Sequence, residues 1–79
     1  MTIEEMQAQR GRVQDDLNLA TAEFHRRCNK YGASPTDATR SALREATEEI
    51  TLCRARLQDL DTKLVIERSA MQRMMLTAR

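Results

Sequence analysis

Apolar residues recur along this chain at alternating spacings of three and four positions, in two separate stretches. Seven of nine such positions are apolar or aromatic in the first stretch, and ten of eleven are apolar in the second. The first series is Ile3, Met6, Arg10, Val13, Leu17, Ala20, Phe24, Arg27 and Tyr31. The second is Leu43, Ala46, Ile50, Cys53, Leu57, Leu60, Leu64, Glu67, Met71, Met74 and Ala78. Because this spacing puts one apolar stripe on a helix, it predicts two helices that pack on each other as a coiled coil.

A short break separates the two patterns at residues 32–35. Gly32 is suited to the left-handed conformation that ends many helices. Ser34 can cap the next helix, with Pro35 at its first position and Asp37 three residues after the cap. So short a link requires antiparallel neighbours. We therefore predict an all-α fold, a single helical hairpin over residues 1–79, with helix one at about 3–31, a turn at 32–35 and helix two at about 35–76.

Helix two is predicted to be the longer helix. At ~1.5 Å per residue the two helices span roughly 43 Å and roughly 63 Å. Folding the chain about the turn puts Ile3 opposite Leu64 or Val65, so the segment after about Glu67 lacks a mate in the same chain. That segment holds three of the five methionines, whose flexible side chains suit adaptable contacts. We predict a partner-binding surface formed by Leu64, Val65, Ile66, Met71, Met74, Met75 and Leu76. The alternative is a frayed end whose methionine content has no function.

Composition and charge narrow the classes of function. Only 3% of the 79 residues are aromatic, so we do not expect a thick core. The net charge is only +1, so we do not expect a basic surface that binds nucleic acid. The longest aliphatic run, 64–66, is far too short to cross a bilayer. The first residues lack the apolar segment of a signal peptide. We expect a cytoplasmic protein that does not insert into a membrane.

Few residues are placed for chemistry. His25 and Cys28 stand at helical i, i+3 spacing, but two ligands are too few for a structural zinc site. A Cys–His nucleophile would also need an orienting group and a pocket. Cys28 and Cys53 should lie ~20 Å apart along the hairpin, which is too far for a disulfide. We expect no enzyme activity, no metal, no cofactor and no small-molecule substrate.

The residues around the turn read Arg26-Arg27-Cys28-Asn29-Lys30-Tyr31-Gly32-Ala33-Ser34-Pro35. This stretch resembles the small co-chaperones of type III secretion needle subunits, some of which carry basic residues followed by Gly-Ala-x-Pro between two helices. The resemblance implies a cytosolic hairpin that binds a helical-repeat chaperone, so that the pair keeps the needle subunit unpolymerised.

Burial of apolar surface also favours a partner. Two helices bury only one stripe each, and a hairpin of this size rarely folds without further support. We expect a non-enzymatic adaptor or co-chaperone that docks on another protein through an apolar helix face. Three alternatives remain open. The first is a homodimeric four-helix bundle that serves assembly, the second is a small phage or mobile-element protein that inhibits a host complex, and the third is a nucleic-acid binder.

Overall fold

The computed structural model describes residues 1–77 of the protein, and these form two helices joined by a short link. Helix α1 spans Ile3–Ala33 and helix α2 spans Asp37–Thr77. The helices pack side by side in opposite directions, which gives a rod of 67 × 16 × 15 Å. The predicted helical hairpin with a longer second helix is confirmed.

Helix α1 has a defined start. Thr2 is extended, with φ −79° and ψ 164°, and its side-chain oxygen accepts a hydrogen bond from the backbone N–H of Glu5 at 3.1 Å. Glu4 and Glu5 occupy the first turn, where carboxylates interact favourably with the positive end of the helix dipole. The sequence of the first five residues therefore fixes where α1 begins.

The end of α1 differs from the prediction. No glycine in the described chain has a positive φ, and Gly32 is an ordinary residue of α1. The helix ends at Ser34, which has φ −145° and donates its backbone N–H to the carbonyl oxygen of Lys30 at 2.9 Å. Because Ser34 is non-helical and ends the helix, a left-handed glycine is not needed, and α1 is two residues longer than predicted.

The cap of α2 lies at Thr36, two residues after the predicted Ser34. The Thr36 hydroxyl accepts a hydrogen bond from the N–H of Thr39 at 3.2 Å, and the Thr39 hydroxyl accepts one from the N–H of Thr36 at 2.9 Å. This reciprocal pair of hydrogen bonds resembles a capping box. Pro35 consequently precedes the cap, and Asp37 is the first residue of α2, where its charge suits the dipole.

The core of the hairpin is the seam between the two helices. Its centre is formed by Val13, Leu57 and Leu60, with Leu17 packed against them. In the described part of the chain, every buried residue belongs to one of the two predicted apolar series. The buried residues are Met6, Val13, Ala20, Ala46, Cys53, Leu57, Leu60 and Leu64.

Two cross-helix contacts show the register of the hairpin. Arg10 of α1 contacts Asp61 of α2 at 2.5 Å, and Arg27 donates a hydrogen bond to the backbone oxygen of Ala42, so Ile3 lies level with residues 66–68. The prediction had placed Ile3 opposite Leu64 or Val65. It was off by about three residues because Gly32 continues α1 and the cap of α2 moves to Thr36, which shifts the centre of the turn. We call the part of α2 beyond this level, residues 69–77, the overhang.

Candidate docking surface at the end of the second helix

Exposed large apolar side chains concentrate at one end of the rod. Among the described residues, only Leu19 and Leu52 lie elsewhere. The others are Met1, Val65, Ile66, Met71, Met74, Met75 and Leu76. Isolated exposed apolar residues are normal on protein surfaces, whereas a cluster at one site marks a surface that binds something.

The predicted partner-binding residues divide into two groups. Leu64 is only 4% exposed because it packs into the seam of its own hairpin. It is therefore a residue of the hairpin core, and the prediction for it was wrong. The other six predicted residues are exposed, over a range from 51% for Met71 to 73% for Met75.

Two of the exposed methionines continue the line of the seam beyond the end of α1. Met71 follows Leu64 by seven residues and Met75 follows it by eleven, which are close to two and three full helical turns. Both therefore project from the side of α2 that covers α1 farther back along the rod. In contrast, Val65 and Ile66 are beside the paired part of α2 and point away from the seam, since one helical step turns a side chain by about 100°.

Shallow depressions border this end of the rod. One has a volume of about 560 Å³ and includes Leu57, Val65 and Ile66 among its lining residues. All of its lining residues belong to α2, so it is a shallow groove on the surface of one helix and not a cavity between the two helices. A second depression, of about 250 Å³, brings Met1, which precedes α1, and Met6 of α1 beside Ile66 and its neighbours. The first residues of α1 thus border the same apolar end.

Two arginines on the seam of α1 have defined partners across the hairpin. Arg27 donates one hydrogen bond to the backbone oxygen of Ala42 at 2.6 Å and another to Glu23 at 2.9 Å. The hydrogen bond from Arg27, together with the charge of Arg26, lowers the pKa of Glu23.

Arg10 makes the corresponding contact nearer the overhang. Its hydrogen bond to Asp61, and then the charge of that carboxylate, raise the pKa of the Arg10 guanidinium. The two arginines lie at opposite ends of the seam. Both arginines contact the other helix, so these contacts are consistent with the register that the buried apolar seam sets.

The cysteines and the histidine do not form a reactive site in the described residues. Cys28 and Cys53 are both free thiols, and Cys53 is fully buried. Burial raises the pKa of the Cys53 thiol, and the carboxylates of Glu49 and Asp16 raise it further. A thiol held in its protonated form is a poor nucleophile. His25 lies beside the ring of Phe24, its neighbour in sequence, with 6.0 Å between the ring centres.

Residues 1–77 contain no group of three or more His, Cys, Asp and Glu side chains that could hold a metal ion. Within the same residues, no helix has the length and apolarity to span a membrane. No protein-family model matches the chain, and no match is found among curated proteins or solved structures.

Proposed function

We propose that this protein is a non-enzymatic adaptor or co-chaperone that docks on a helix of another protein through the end of α2. The observation that carries the proposal is the concentration of exposed apolar side chains at the overhang and just before it. Helix-in-groove and helix-on-helix recognition both use apolar residues at the spacing seen for Met71 and Met75.

The exposed area of the chain supports a partner. The protein exposes 6268 Å², whereas a compact monomer of its mass exposes about 4,900 Å². The excess of about 1,400 Å² follows from the rod shape, because two helices cannot enclose a core. A specific protein–protein interface buries about 800 Å² from each partner, so one interface would remove a large part of this excess.

The energy available at the apolar end fits an anchoring role. Val65, Ile66, Met71, Met75 and Leu76 are each 51–73% exposed. Covering each would contribute roughly 1–2 kcal/mol, since full burial of such a side chain contributes about 1.5–3 kcal/mol. The sum, roughly 5–10 kcal/mol, is similar to the ~4–15 kcal/mol cost of association. The apolar end would therefore act as the central anchor, and surrounding polar contacts would supply the remaining affinity.

The rest of the rod is less suited to docking. Leu19 and Leu52 are the exposed large apolar residues on the hairpin body among the residues described, and they lie on different helices without an apolar row between them. A four-helix bundle needs an apolar face along the full length of each hairpin. This distribution favours docking at one end over assembly of a full-length bundle.

A more specific form of the proposal takes its partner from the resemblance at the turn. In that form the partner is a helical-repeat chaperone, and the complex serves type III secretion by holding a needle subunit in an unpolymerised state. Co-expression with the chaperone and needle subunit of a secretion system from the same genome tests it. A stable ternary complex is the expected result, and separate elution of the hairpin would contradict this form while leaving the broader proposal intact.

Photo-crosslinking tests the docking proposal. We would replace Met75 by benzoylphenylalanine in cells that naturally make the protein, with Leu19 as the matched control position because it is equally exposed. The expected result is a crosslink to one protein from position 75 and none to that protein from position 19. The protein captured at position 75 must then bind the purified hairpin. Equal capture from both positions, or failure of the purified pair to bind, would contradict the proposal.

A further inference from the structure

The charges of the rod are segregated along its length. Residues 24–44, which form the turn end, carry five basic residues and one acidic residue, so their net charge is +4. Because the net charge of the whole chain is +1, all other residues together carry −3. Directly behind the turn end, residues 13–23 and 45–53 carry six acidic residues and no basic one. The small net charge of the chain therefore conceals a basic end and an acidic middle.

Four exposed cations surround the turn end. Arg26 and Lys30 are one turn apart on α1, Arg40 and Arg44 are one turn apart on α2, and all four are exposed. At the register of the hairpin, Arg26 lies about level with Arg44, and Lys30 about level with Arg40. We call these four residues the basic collar. The rod is only 16 × 15 Å in cross-section, so one partner that surrounds the turn end can reach the whole collar.

Most of the collar charge is not neutralised within the hairpin. Arg26 pairs with Glu23 of its own helix, and the Arg26 side chain is still 73% exposed. The other three collar residues form no ion pair with any residue in the described part of the chain. Three exposed cations at the turn end are thus available to an external anion.

Most positions of the collar are unfavourable for the isolated hairpin. Helix α2 begins at Asp37, so Arg40 lies in its first turn, at the positive end of the helix dipole, where a cation is disfavoured. Arg40 and Arg44 also stand four residues apart, a spacing at which like charges on a helix repel each other. Arg26 and Lys30 repeat this like-charge spacing on α1, although Lys30 suits the negative end of its own helix. Departures from local rules of this kind are expected at functional sites.

We propose that the basic collar is a second docking surface, which binds an acidic segment of a partner protein that wraps around the turn end. The carboxylates of such a segment would supply the missing ion pairs, and arginine can bind a carboxylate through two parallel hydrogen bonds. The collar lies at the end of the rod opposite the overhang. The proposal extends the proposed adaptor function, because a rod 67 Å long with a docking surface at each end can join two partners. Binding at the collar does not require binding at the overhang.

The arrangement of charges favours a flexible acidic peptide over a nucleic acid or a membrane. From Arg26 to the end of α1 the rod extends only about 10 Å, and the acidic middle begins directly behind. An extended polyanion such as a nucleic-acid duplex would lie within the ~8 Å reach of charges in physiological salt of both regions, and the acidic middle would repel it. A flat anionic bilayer would meet the apex first, and residues 31–39 there carry Asp37 and no basic residue. A flexible peptide can pass around the apex and contact the collar on both helices.

Titration of the isotope-labelled full chain with a deca-glutamate peptide, followed by two-dimensional NMR, tests the proposal. We expect saturable shifts confined to residues 26–44, with a dissociation constant of roughly 0.1–1 mM at about 0.05 M salt that rises at least threefold at about 0.15 M. Arg40→Gln with Arg44→Gln should weaken binding at least fivefold. Arg54→Gln with Arg56→Gln, the matched control, removes the same charge from exposed positions of α2 and should weaken binding less than twofold. Absence of binding, or an equal loss in both variants, would overturn the proposal.

Stability and other anions distinguish docking from other roles of the collar. Because Arg40 and Arg44 repel each other, Arg40→Gln with Arg44→Gln should leave the melting temperature of the free protein unchanged or raise it. A clear fall would show that the two arginines support the fold, and would overturn the proposal. A ten-nucleotide thymidine strand and vesicles with about 20% phosphatidylserine probe the other classes of anion. If either binds the collar more tightly than the peptide at equal anionic charge, the acidic-peptide proposal is overturned.

Binding at the two ends of the rod can be measured separately. If the chain does not bind the deca-glutamate peptide but binds its photo-crosslinked partner through Met71 and Met75, the collar proposal fails and docking at the overhang stands. If the peptide binds the collar but Met71→Asp with Met75→Asp leaves the partner bound, docking at the overhang fails alone.

Discussion

Replacing Leu60 by alanine should be among the most destabilising single truncations in the protein. Leu60 is 5% exposed and packs at the centre of the seam with Val13 and Leu57. Buried leucine-to-alanine changes cost about 3–5 kcal/mol in closed cores. A seam between only two helices is open at both flanks and can collapse partly around the lost volume, so we expect about 2–3 kcal/mol. A chain of this length has a total stability of roughly 4–12 kcal/mol, so this single change removes a substantial fraction of it.

Urea titration followed by far-ultraviolet circular dichroism measures this effect. With a slope of about 1 kcal/mol per molar for a small protein, the midpoint should fall by about 2–3 M. Leu52→Ala removes the same atoms from a side chain that is 52% exposed and should cost less than about 1 kcal/mol. Titrations at two protein concentrations separate unfolding from self-association. If Leu52→Ala destabilises the protein as much as Leu60→Ala, the assignment of the seam as the core is refuted.

Four further predictions concern the turn and the thiols. Gly32→Ala should stabilise the hairpin by about 0.5–1 kcal/mol, because Gly32 is helical and an added Cβ would meet no atom within 4 Å. A loss of stability on urea titration would instead indicate that Gly32 is left-handed. Thr36→Ala should cost about 1 kcal/mol through loss of the cap, whereas Ser34→Ala should cost clearly less, and the reverse order of melting temperatures would contradict the capping geometry. With a disulfide reagent, the partly exposed Cys28 should react at once and the buried Cys53 only on unfolding, a difference that equal rates would disprove. Burial raises the pKa of the Cys53 thiol. The stabilisation by the protonated thiol should therefore be fully present below about pH 8 and be lost as the pH rises through the folded-state pKa. The Cys53→Ala variant should lose less stability over this alkaline range than the wild type.

The hairpin could be predicted from sequence because its determinants are local and repetitive. Each apolar series follows the helical period over many turns, and every buried residue falls on one of the two series. The unequal helix lengths follow equally directly, since the break near Pro35 lies well before the middle of the chain. Periodicity averages over many residues, so one exception such as Arg10 does not disturb it.

The turn could not be predicted to the residue, because several local devices compete there. Gly32, Ser34 and Pro35 together form a plausible cap, yet the chain uses the hydroxyls of Thr36 and Thr39. The alternative helix caps differ in free energy by only about 1 kcal/mol. The choice moves the register by about three residues, so the residues that face each other across the hairpin could not be assigned from sequence.

The candidate docking surface was predictable in outline but not residue by residue. The methionines at the end of α2 stand out in the sequence, and six of the seven chosen residues are exposed. Leu64 was included because it begins the apolar run 64–66 just before the predicted unpaired segment, but its side chain packs into the seam. The cross-helix contacts of Arg10 and Arg27 could not be predicted, because a charged residue in an apolar series can either point to solvent at the edge of the seam or contact the other helix. Only three-dimensional placement shows that Asp61 and the backbone of Ala42 are within reach.

The affinity of the photo-crosslinked partner for purified variants tests the docking surface most directly. Isothermal titration calorimetry would compare the wild type, Met71→Asp with Met75→Asp, and Leu19→Asp. Loss of two covered methionines and burial of two carboxylates should cost about 3 kcal/mol or more, which weakens binding by at least 100-fold. Leu19→Asp should change the dissociation constant less than threefold. Unchanged affinity in the double variant, or an equal loss in the Leu19 variant, would show that the end of α2 is not the docking surface.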